Sequence, residues 1–484
     1  VRLFLPAFPF LAILSGVACV GVVYVAGRDW FGRGAAFVGA AMLCFSDFPI
    51  LFSRVGLTDS LFCALFLLAV WLFSRSDEKS SWGNAVLAGL ATGAVWNTKY
   101  HGWLAVVVAG AALVPQAVLY RSARPLRHLG RVVVGGAIAL LLYLPWFFHV
   151  GRQRGGYPAL LANHRSFLDT GAVVGQASRQ LEGLSFLEGN LTRVSLALLL
   201  LGAALLSKQT SRGSKALLAA LAVASIGVGG WPVAVALAGI GISRMWRHPS
   251  SGAWHALAFF GLFTVLTPLY HPYSRLLLPW FAGLVLWAGV GVAELGGWRS
   301  VGEPRRRLDR LSMAASALVV IVTVATVSLR GLPGPAASFA ATDALRDATS
   351  ELVEQIPPGL PMAVLGEPAV VFYLRQEQVS AWPINTPGEL EARVEAGERL
   401  VLVGGIYSRR IEGEQSIAGW QRRFPDNFTL KARIPVRSPG EVRLLDDFPP
   451  SRAVEWRRGN NTGDYDLEVF EVVFPVLPDS LPQP

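Results

Sequence analysis

The chain has 484 residues, of which 52% are hydrophobic and only 16% are charged, and its formal net charge is +10. Soluble domains carry about 25% charged residues. Together with a mean hydropathy of +0.44, the composition excludes an ordinary soluble protein and predicts a membrane protein that crosses the bilayer many times. The basic net charge does not predict nucleic-acid binding, because membrane proteins concentrate Lys and Arg in their cytoplasmic loops.

The chain opens at Val1 with an apolar run. This run has neither the basic first segment nor the small-residue cleavage site of a signal peptide, so we do not interpret it as one. Because no Met precedes it, we interpret the sequence as truncated at its N-terminus.

Apolar segments that approach the length of a membrane span follow one another as far as residue 330. A spanning helix needs about 20 mostly apolar residues. We predict an all-α membrane bundle of about twelve spans over residues 1–330. In chain order, the candidate spans are 3–26, 35–50, 58–73, 85–98, 102–120, 132–149, 194–206, 216–229, 232–243, 255–270, 276–297 and 313–330.

The positions of Lys and Arg give an independent prediction of topology, because cytoplasmic loops are enriched in both. If Val1 lies outside, the short outer loops hold only Arg54, Lys99 and Arg275. The inner loops hold Arg28, Arg33, Arg75, Lys79, Arg121, Arg124, Arg127, Arg131, Lys208, Arg212, Lys215, Arg244, Arg247, Arg299, Arg305, Arg306, Arg307 and Arg310. The Ala-, Gly- and Arg-rich composition is typical of bacteria, so we predict an inner-membrane protein whose residues 331–484 are extracytoplasmic.

Residues 331–484 have a different character, because helical and strand patterns alternate there. The elements are a helix at 341–356, strands at 361–366 and 399–405, a helix opened by Thr386 with Glu389 in capping-box spacing, and strands at 428–436 and 466–474. These elements predict a small α/β domain. It contains no phosphate-binding fingerprint, catalytic triad or metal cluster, so we predict a packing or acceptor-docking role for it.

Polar side chains gather in the predicted outer loops, where the ends of bundled helices must converge. The groups are Arg54 with Asp59; Lys99, Tyr100 and His101; His164, Arg165 and Asp169; and His271, Tyr273 and Arg275. Taken singly, each has a structural explanation. Asp59 would cap a helix that begins near Thr58, and Lys99 and Arg275 would anchor the interface. Taken together, they indicate a basic pocket for an anionic lipid head group, because Arg and Lys suit phosphate.

In these same stretches the chain resembles the multi-spanning glycosyltransferases of the C superfamily, in the branch that holds protein O-mannosyltransferases and the enzymes that add aminoarabinose to lipid A. The resemblance covers roughly residues 1–330. Its motifs are FSRVGLTDSLF with Arg54, Thr58 and Asp59; WNTKYHG with Lys99 and Tyr100; NHRSF with His164 and Arg165; and HPYSRLLLPW with Tyr273, Arg275 and Pro279. It implies a sugar donor carried on polyprenyl phosphate and an extracytoplasmic C-terminal part.

Members of that family also carry an acidic residue in the outer loop between their first two spans, which acts on the acceptor. Val1 resembles the start of the second family span, so we expect this main base upstream of Val1. We interpret Asp59 as a supporting carboxylate. The substrate-binding residues that we predict are Arg54, Lys99, Tyr100, His101, His164, Arg165, Tyr273 and Arg275.

The predicted function is transfer of a sugar from a polyprenyl-phosphate donor to a lipid, glycan or protein acceptor outside the cytoplasm. Charge develops on the phosphate as it leaves, and fixed cations stabilise that charge. The sequence requires no cofactor. Its cysteines, Cys19, Cys44 and Cys63, lie in apolar segments without the spacing of a metal site.

Two other classes remain open. A transporter or lipid flippase with an external domain tends to show internal repeats and helices broken near the bilayer midplane. The sequence has no convincing repeat, and its polar residues gather at one interface. The third class is a non-catalytic scaffold whose external domain binds partners.

Overall fold

The computed structural model describes most of the helical region and part of the C-terminal region. The described residues are 7–54, 58–120, 124–152, 156–165, 168, 170–207, 210–246, 249–270, 273–298, 345–357, 359–365, 368–384, 399–405, 408, 417–423, 425–436 and 465–473. The chain divides into two compact units, of which the first covers Val1–Leu329 and the second begins at Arg330.

The first unit is a helical bundle, which confirms the predicted all-α class. Its helices are α1 (Ala7–Phe31), α2 (Arg33–Cys44), α3 (Asp47–Arg54), α4 (Asp59–Glu78), α5 (Trp82–Thr98), α6 (Leu104–Tyr120), α7 (Arg124–Arg152), α8 (Gly156–Arg165), α9 (Val173–Leu187), α10 (Asn190–Leu206), α11 (Arg212–Gly227), α12 (Gly230–Met245), α13 (Ser251–Leu266) and α14 (Leu278–Leu295). Short 3-10 turns lie at Tyr100–Trp103, Thr267–Leu269 and Ser274–Leu277.

Six helices of the described chain are long and apolar enough to cross a membrane, and the number rises to eight if each of two bent helix pairs forms one span. Eleven of the twelve predicted spans correspond to twelve of these fourteen helices, because α2 and α3 share one span and α8 and α9 lie between two spans. The twelfth predicted span, 313–330, lies outside the described residues. The number of full-length spans is below the prediction because α5, α11 and α12 have only 16 or 17 residues. A crossing along the membrane normal needs about 20.

The directions of the helices agree with the alternation that the basic loops predicted. Asp29, near the end of α1, pairs with Arg75, near the end of α4, at 2.8 Å. Asp59, at the start of α4, pairs with Lys99, directly after α5. Helices α1 and α4 therefore run in the same direction, and α5 runs in the opposite one.

The second predicted span is bent by 62° between α2 and α3, and α10 satisfies the polar groups at the bend. The Asp47 amide donates to Thr192 Oγ1 at 2.8 Å, and the Thr192 amide donates to Asp47 Oδ2 at 2.9 Å. Ser195 Oγ donates to the Phe45 carbonyl at 3.0 Å. Because the first N–H groups of a helix lack partners within it, α3 and α10 here cap one another.

Helix α14 is the centre of the bundle, and its residues from Leu278 to Ala293 are all buried. It meets α12 through glycines, because membrane helices associate by close backbone approach at small residues. A Cβ atom on Gly291 would collide with the Leu237 carbonyl of α12, and one on Gly241 of α12 would collide with the Trp287 carbonyl. The two backbones therefore touch directly.

The second unit contains a five-stranded sheet in the order β2-β1-β3-β5-β4, which confirms the predicted small α/β class. Strands β1, β2 and β3 are parallel, and β5 is antiparallel to β3 and β4. The strands are β1 (Met362–Leu365), β2 (Ala381–Ile384), β3 (Leu400–Gly404), β4 (Phe428–Val436) and β5 (Tyr465–Val472), with helices α15 (345–355), α16 (Pro368–Gln376) and α17 (Ile417–Arg423).

Both faces of this sheet carry a core, because successive strand residues point to opposite sides. Val401 and Val403 of β3 belong to one hydrophobic cluster, and Leu400 and Leu402 belong to the other. Four strands fall where the sequence predicted them, whereas β2, α16 and α17 were not predicted. The helix predicted at Thr386 lies outside the described residues.

The contact between α12 and α14 predicts the effect of a side chain at Gly241. Gly241→Val places its Cβ against the Trp287 carbonyl, and such overpacking costs about 1–3 kcal/mol. We expect a lower melting temperature for the detergent-purified protein, measured by size-exclusion chromatography after heating. Gly239→Val is the matched control, since nothing lies within 4 Å of a Cβ at Gly239 in the same helix. Equal losses in the two variants would contradict this packing.

The packing of α1 on α4 predicts a chemical cross-link. Cys19 Sγ and Cys63 Sγ are 3.5 Å apart and buried. Iodine added to membranes is expected to oxidise these two thiols to one disulfide, with reduction to iodide. The denatured protein would then react with one maleimide-polymer, at Cys44, instead of three. Cys19→Ser should abolish the cross-link and Cys44→Ser should retain it; an oxidised wild type with three reactive thiols would refute the arrangement.

Candidate functional site

The site begins with an ion pair between the start of α4 and the end of α5. Thr58 holds the cap position of α4 without a side-chain hydrogen bond, and Asp59 is the first helical residue. The Asp59 carboxylate accepts a hydrogen bond from Lys99 Nζ, and the two side chains are 6% and 19% exposed. Asp59 lies in the first turn of α4, as predicted, and its carboxylate also binds the cation that directly follows α5.

Aromatic rings complete the surroundings of Lys99. Its Nζ lies 5.7 Å from the centre of the buried Phe62 ring, a distance at which a cation is attracted to the ring face. The Phe62 ring in turn lies 4.5 Å from the ring of His101. Phe62 follows Asp59 by three residues on α4, so both side chains lie on the same face of that helix.

A second cluster joins the turn after α5 to the ends of α8 and α13. The Tyr100 and His164 rings meet edge to face at 5.3 Å, and His164 Nδ1 is hydrogen-bonded to the Tyr270 hydroxyl at 3.1 Å. His101 lies within electrostatic reach of both Lys99 and His164. The ion pair and this second cluster therefore belong to one site.

Arg275 and Tyr273 extend the site into the loop before α14. The guanidinium carbon of Arg275 lies 4.5 Å from the centre of the Tyr273 ring. Burial and the nearby Tyr273 raise the pKa of the Tyr270 phenol, whereas the positive charge of Arg275 opposes that rise. Tyr270 therefore keeps its proton at neutral pH, and Arg275 is close enough to affect it.

Of the nine predicted site residues, the structure brings seven into this site: Asp59, Lys99, Tyr100, His101, His164, Tyr273 and Arg275. Arg165 ends α8 and is exposed. Arg54 ends α3, but its side chain lies outside the described part of the structure, as do Asp169 and His271. The roles of the nine residues in catalysis or substrate binding stay a prediction.

Sequence reasoning missed Phe62 and Tyr270. Tyr270 stands directly before the motif that was singled out, HPYSRLLLPW, and Phe62 has helical spacing from Asp59, so both carried a usable signal. In the described residues, no three His, Cys, Asp or Glu side chains converge as metal ligands would.

The ion pair predicts a specific pattern of stability. Lys99→Met leaves the Asp59 carboxylate without its partner. We expect the free energy of unfolding to fall by about 2–3 kcal/mol, a value between those for exposed and for fully buried ion pairs. In the double variant Asp59→Asn/Lys99→Met, no charge is left unpaired, so the loss should be smaller than the sum of the single losses. Thermal unfolding in detergent measures this cycle. Lys79→Met is the control, because Lys79 is exposed directly after α4. If the stability losses of Asp59→Asn and Lys99→Met simply add in the double variant, the coupling is contradicted.

Comparison with known proteins agrees with the sequence motifs. The family model for dolichyl-phosphate-mannose-protein mannosyltransferase matches residues 7–149, a range that includes Asp59, Lys99, Tyr100 and His101. No curated protein sequence matches the chain.

Solved structures match over a much larger part of the chain. ArnT from Cupriavidus metallidurans in the apo state is 14% identical with a TM-score of 0.52, over 96% of this chain and 83% of that chain. The same enzyme bound to undecaprenyl phosphate is 15% identical with a TM-score of 0.52, over 88% of this chain and 82% of that chain. The oligosaccharyltransferase of Archaeoglobus fulgidus in the apo form is 13% identical, with a TM-score of 0.38, over 82% of this chain and 58% of that chain.

These matches bear on the fold and on the N-terminal helices. The fold is the one seen in ArnT, and helices α1 to α7 carry the mannosyltransferase match. The predicted resemblance is therefore confirmed: the chain is similar to the membrane glycosyltransferases of the C superfamily.

Proposed function

We propose that this membrane glycosyltransferase takes its sugar from a polyprenyl-phosphate donor and binds the donor phosphate at the site that joins Lys99, His164 and Arg275. The observation that carries the proposal is the convergence of these groups from three separate loops at one end of the bundle. The shared fold supports it, since ArnT has been solved with undecaprenyl phosphate bound.

The chemistry of the transfer explains why cations are needed there. The acceptor attacks the anomeric carbon of the sugar and gives up its proton to solvent or to the departing phosphate, and the bond between that carbon and the phosphate oxygen breaks. Polyprenyl phosphate leaves with the bonding electrons, so negative charge grows on its oxygens. Groups fixed in advance around that position stabilise the transition state more than the ground state.

Each cation has a distinct part in the proposal. Arg275 is braced by the Tyr273 ring, and its planar guanidinium suits bidentate contact with phosphate. Lys99 adds a point charge, and the Tyr270 hydroxyl, oriented by His164, adds a hydrogen-bond donor.

Asp59 has a supporting role in this proposal. Its carboxylate is occupied by Lys99, so it positions that cation and does not take the proton of the acceptor. Removing Asp59 would leave Lys99 free to move away from the phosphate and would also cost the stability of the pair.

The proposed setting follows from the basic loops. The site and the second unit lie on the extracytoplasmic side of a bacterial inner membrane, and the acceptor is a lipid, a glycan or a protein. The donor lipid reaches the site from within the bilayer.

Binding of undecaprenyl phosphate to the purified full-length protein tests the proposal. Arg275→Met is expected to weaken binding about 10- to 100-fold, because a hydrogen bond to a charged group contributes about 1.5–3 kcal/mol. Native mass spectrometry in detergent measures the affinity. Arg212→Met, at an exposed position on α11, should bind as the wild type does. Equal affinity of the wild type and Arg275→Met would refute the proposed phosphate site.

A further inference from the structure

The segment that carries Tyr270 leaves helix α13 and does not continue as an α-helix. Thr267–Leu269 forms a 3-10 turn that contains Pro268, and a second turn begins at Ser274. The last carbonyl groups of a helix have no donor within it. Buried carbonyl groups nevertheless need hydrogen-bond partners. The Thr267 carbonyl accepts one hydrogen bond from the Tyr270 amide at 3.2 Å, and further partners for this segment come from another helix.

Two buried glutamines of α9 supply those partners. Gln180, which is 1% exposed, donates from Nε2 to the Thr267 carbonyl at 3.0 Å. The Gln176 amide, in the orientation that satisfies its neighbours, donates to the Pro268 carbonyl at 3.2 Å and also to the Tyr270 carbonyl. The carbonyl groups of Thr267, Pro268 and Tyr270 are thus bound by two side-chain amides.

The same face of α9 also contacts the turn that begins at Ser274. Gln176, Gln180 and Gly183 are spaced by four and three residues, so they share one helix face. Gly183 packs directly on Ser274, since a Cβ there would collide with Ser274 Oγ. Tyr270 also forms an antiparallel bridge with Leu168, which precedes α9.

We infer that Gln176 and Gln180 are positioning residues for the donor site. They touch no reacting atom, but they set the backbone from Thr267 to Tyr270. That backbone in turn fixes the Tyr270 hydroxyl on His164 and the start of the turn that presents Arg275. The inference rests on the proposed function. It explains which side chains hold the loop of the donor site in place.

The chemistry of the side chain explains why an amide serves here. A primary amide offers two N–H donors without a charge, so it can bind carbonyl oxygens in a buried place without the cost of burying an ion. A carboxylate in the same place would point acceptors at acceptors. A thioether of similar length has no N–H group and would remove these hydrogen bonds, which makes Gln180→Met and Gln176→Met suitable probes.

Hydrogen–deuterium exchange on the full-length protein tests the bracing without reference to function. Both variants are expected to speed exchange in residues 267–277 by at least tenfold and to leave α14 unchanged. Arg179→Met, exposed on α9, is the control. If one variant fails to fold, the other decides the question. Unchanged exchange in residues 267–277 would overturn the inference.

Binding of undecaprenyl phosphate tests the link to the site. Gln180→Met should weaken binding about tenfold, more than Leu184→Ala, which disturbs the buried core of α9 without removing a donor. In the background Tyr270→Phe, Gln180→Met should have a smaller effect, because the two act through one contact. Faster exchange with unchanged affinity would overturn the positioning role. If the wild type itself does not bind, the proposed function fails, and the exchange data alone decide whether the glutamines brace the loop.

Discussion

The structure depends on one constraint: a polar group held away from water must find its partner within the protein. The Asp59–Lys99 pair satisfies it for two charges, and the amides of Gln176 and Gln180 contribute to it by binding carbonyl groups of the segment that follows α13. In both cases the partner comes from a different helix. The residues that meet this constraint therefore also decide which helix ends lie together, and the candidate site forms where they do.

The helices around the site are held together by close packing of their backbones. Helices within a membrane gain little from the hydrophobic effect, so backbones approach one another at small residues. Gly241 and Gly291 allow α12 and α14 to touch, and α14 is buried along nearly its whole length. A rigid central helix gives the loop before it, with Tyr273 and Arg275, a fixed point of attachment.

The sequence predicted the helices well because their apolar length is a strong signal. It also named most of the residues that meet at the candidate site, because basic and aromatic residues in short outer loops come together when helices bundle; their roles stay a prediction. It did not predict which charges pair. Asp59 binds Lys99, and that choice depends on distances between helices that a linear pattern does not contain. The role of Gln176 and Gln180 was equally invisible, since glutamine on an amphipathic helix is normally solvated. Strand β2 was missed because it includes Pro383, which is tolerated there because β2 lies at the edge of the sheet.

The reciprocal caps between Asp47 and Thr192 have a mechanical consequence. The two residues are 145 positions apart, and each supplies the group that the other helix start requires. A displacement of α10 along its axis would break both hydrogen bonds at the same time. The positions of α3 and α10 are therefore coupled. A displacement of the start of α10 would therefore also require α3, the short helix that ends in Arg54, to move.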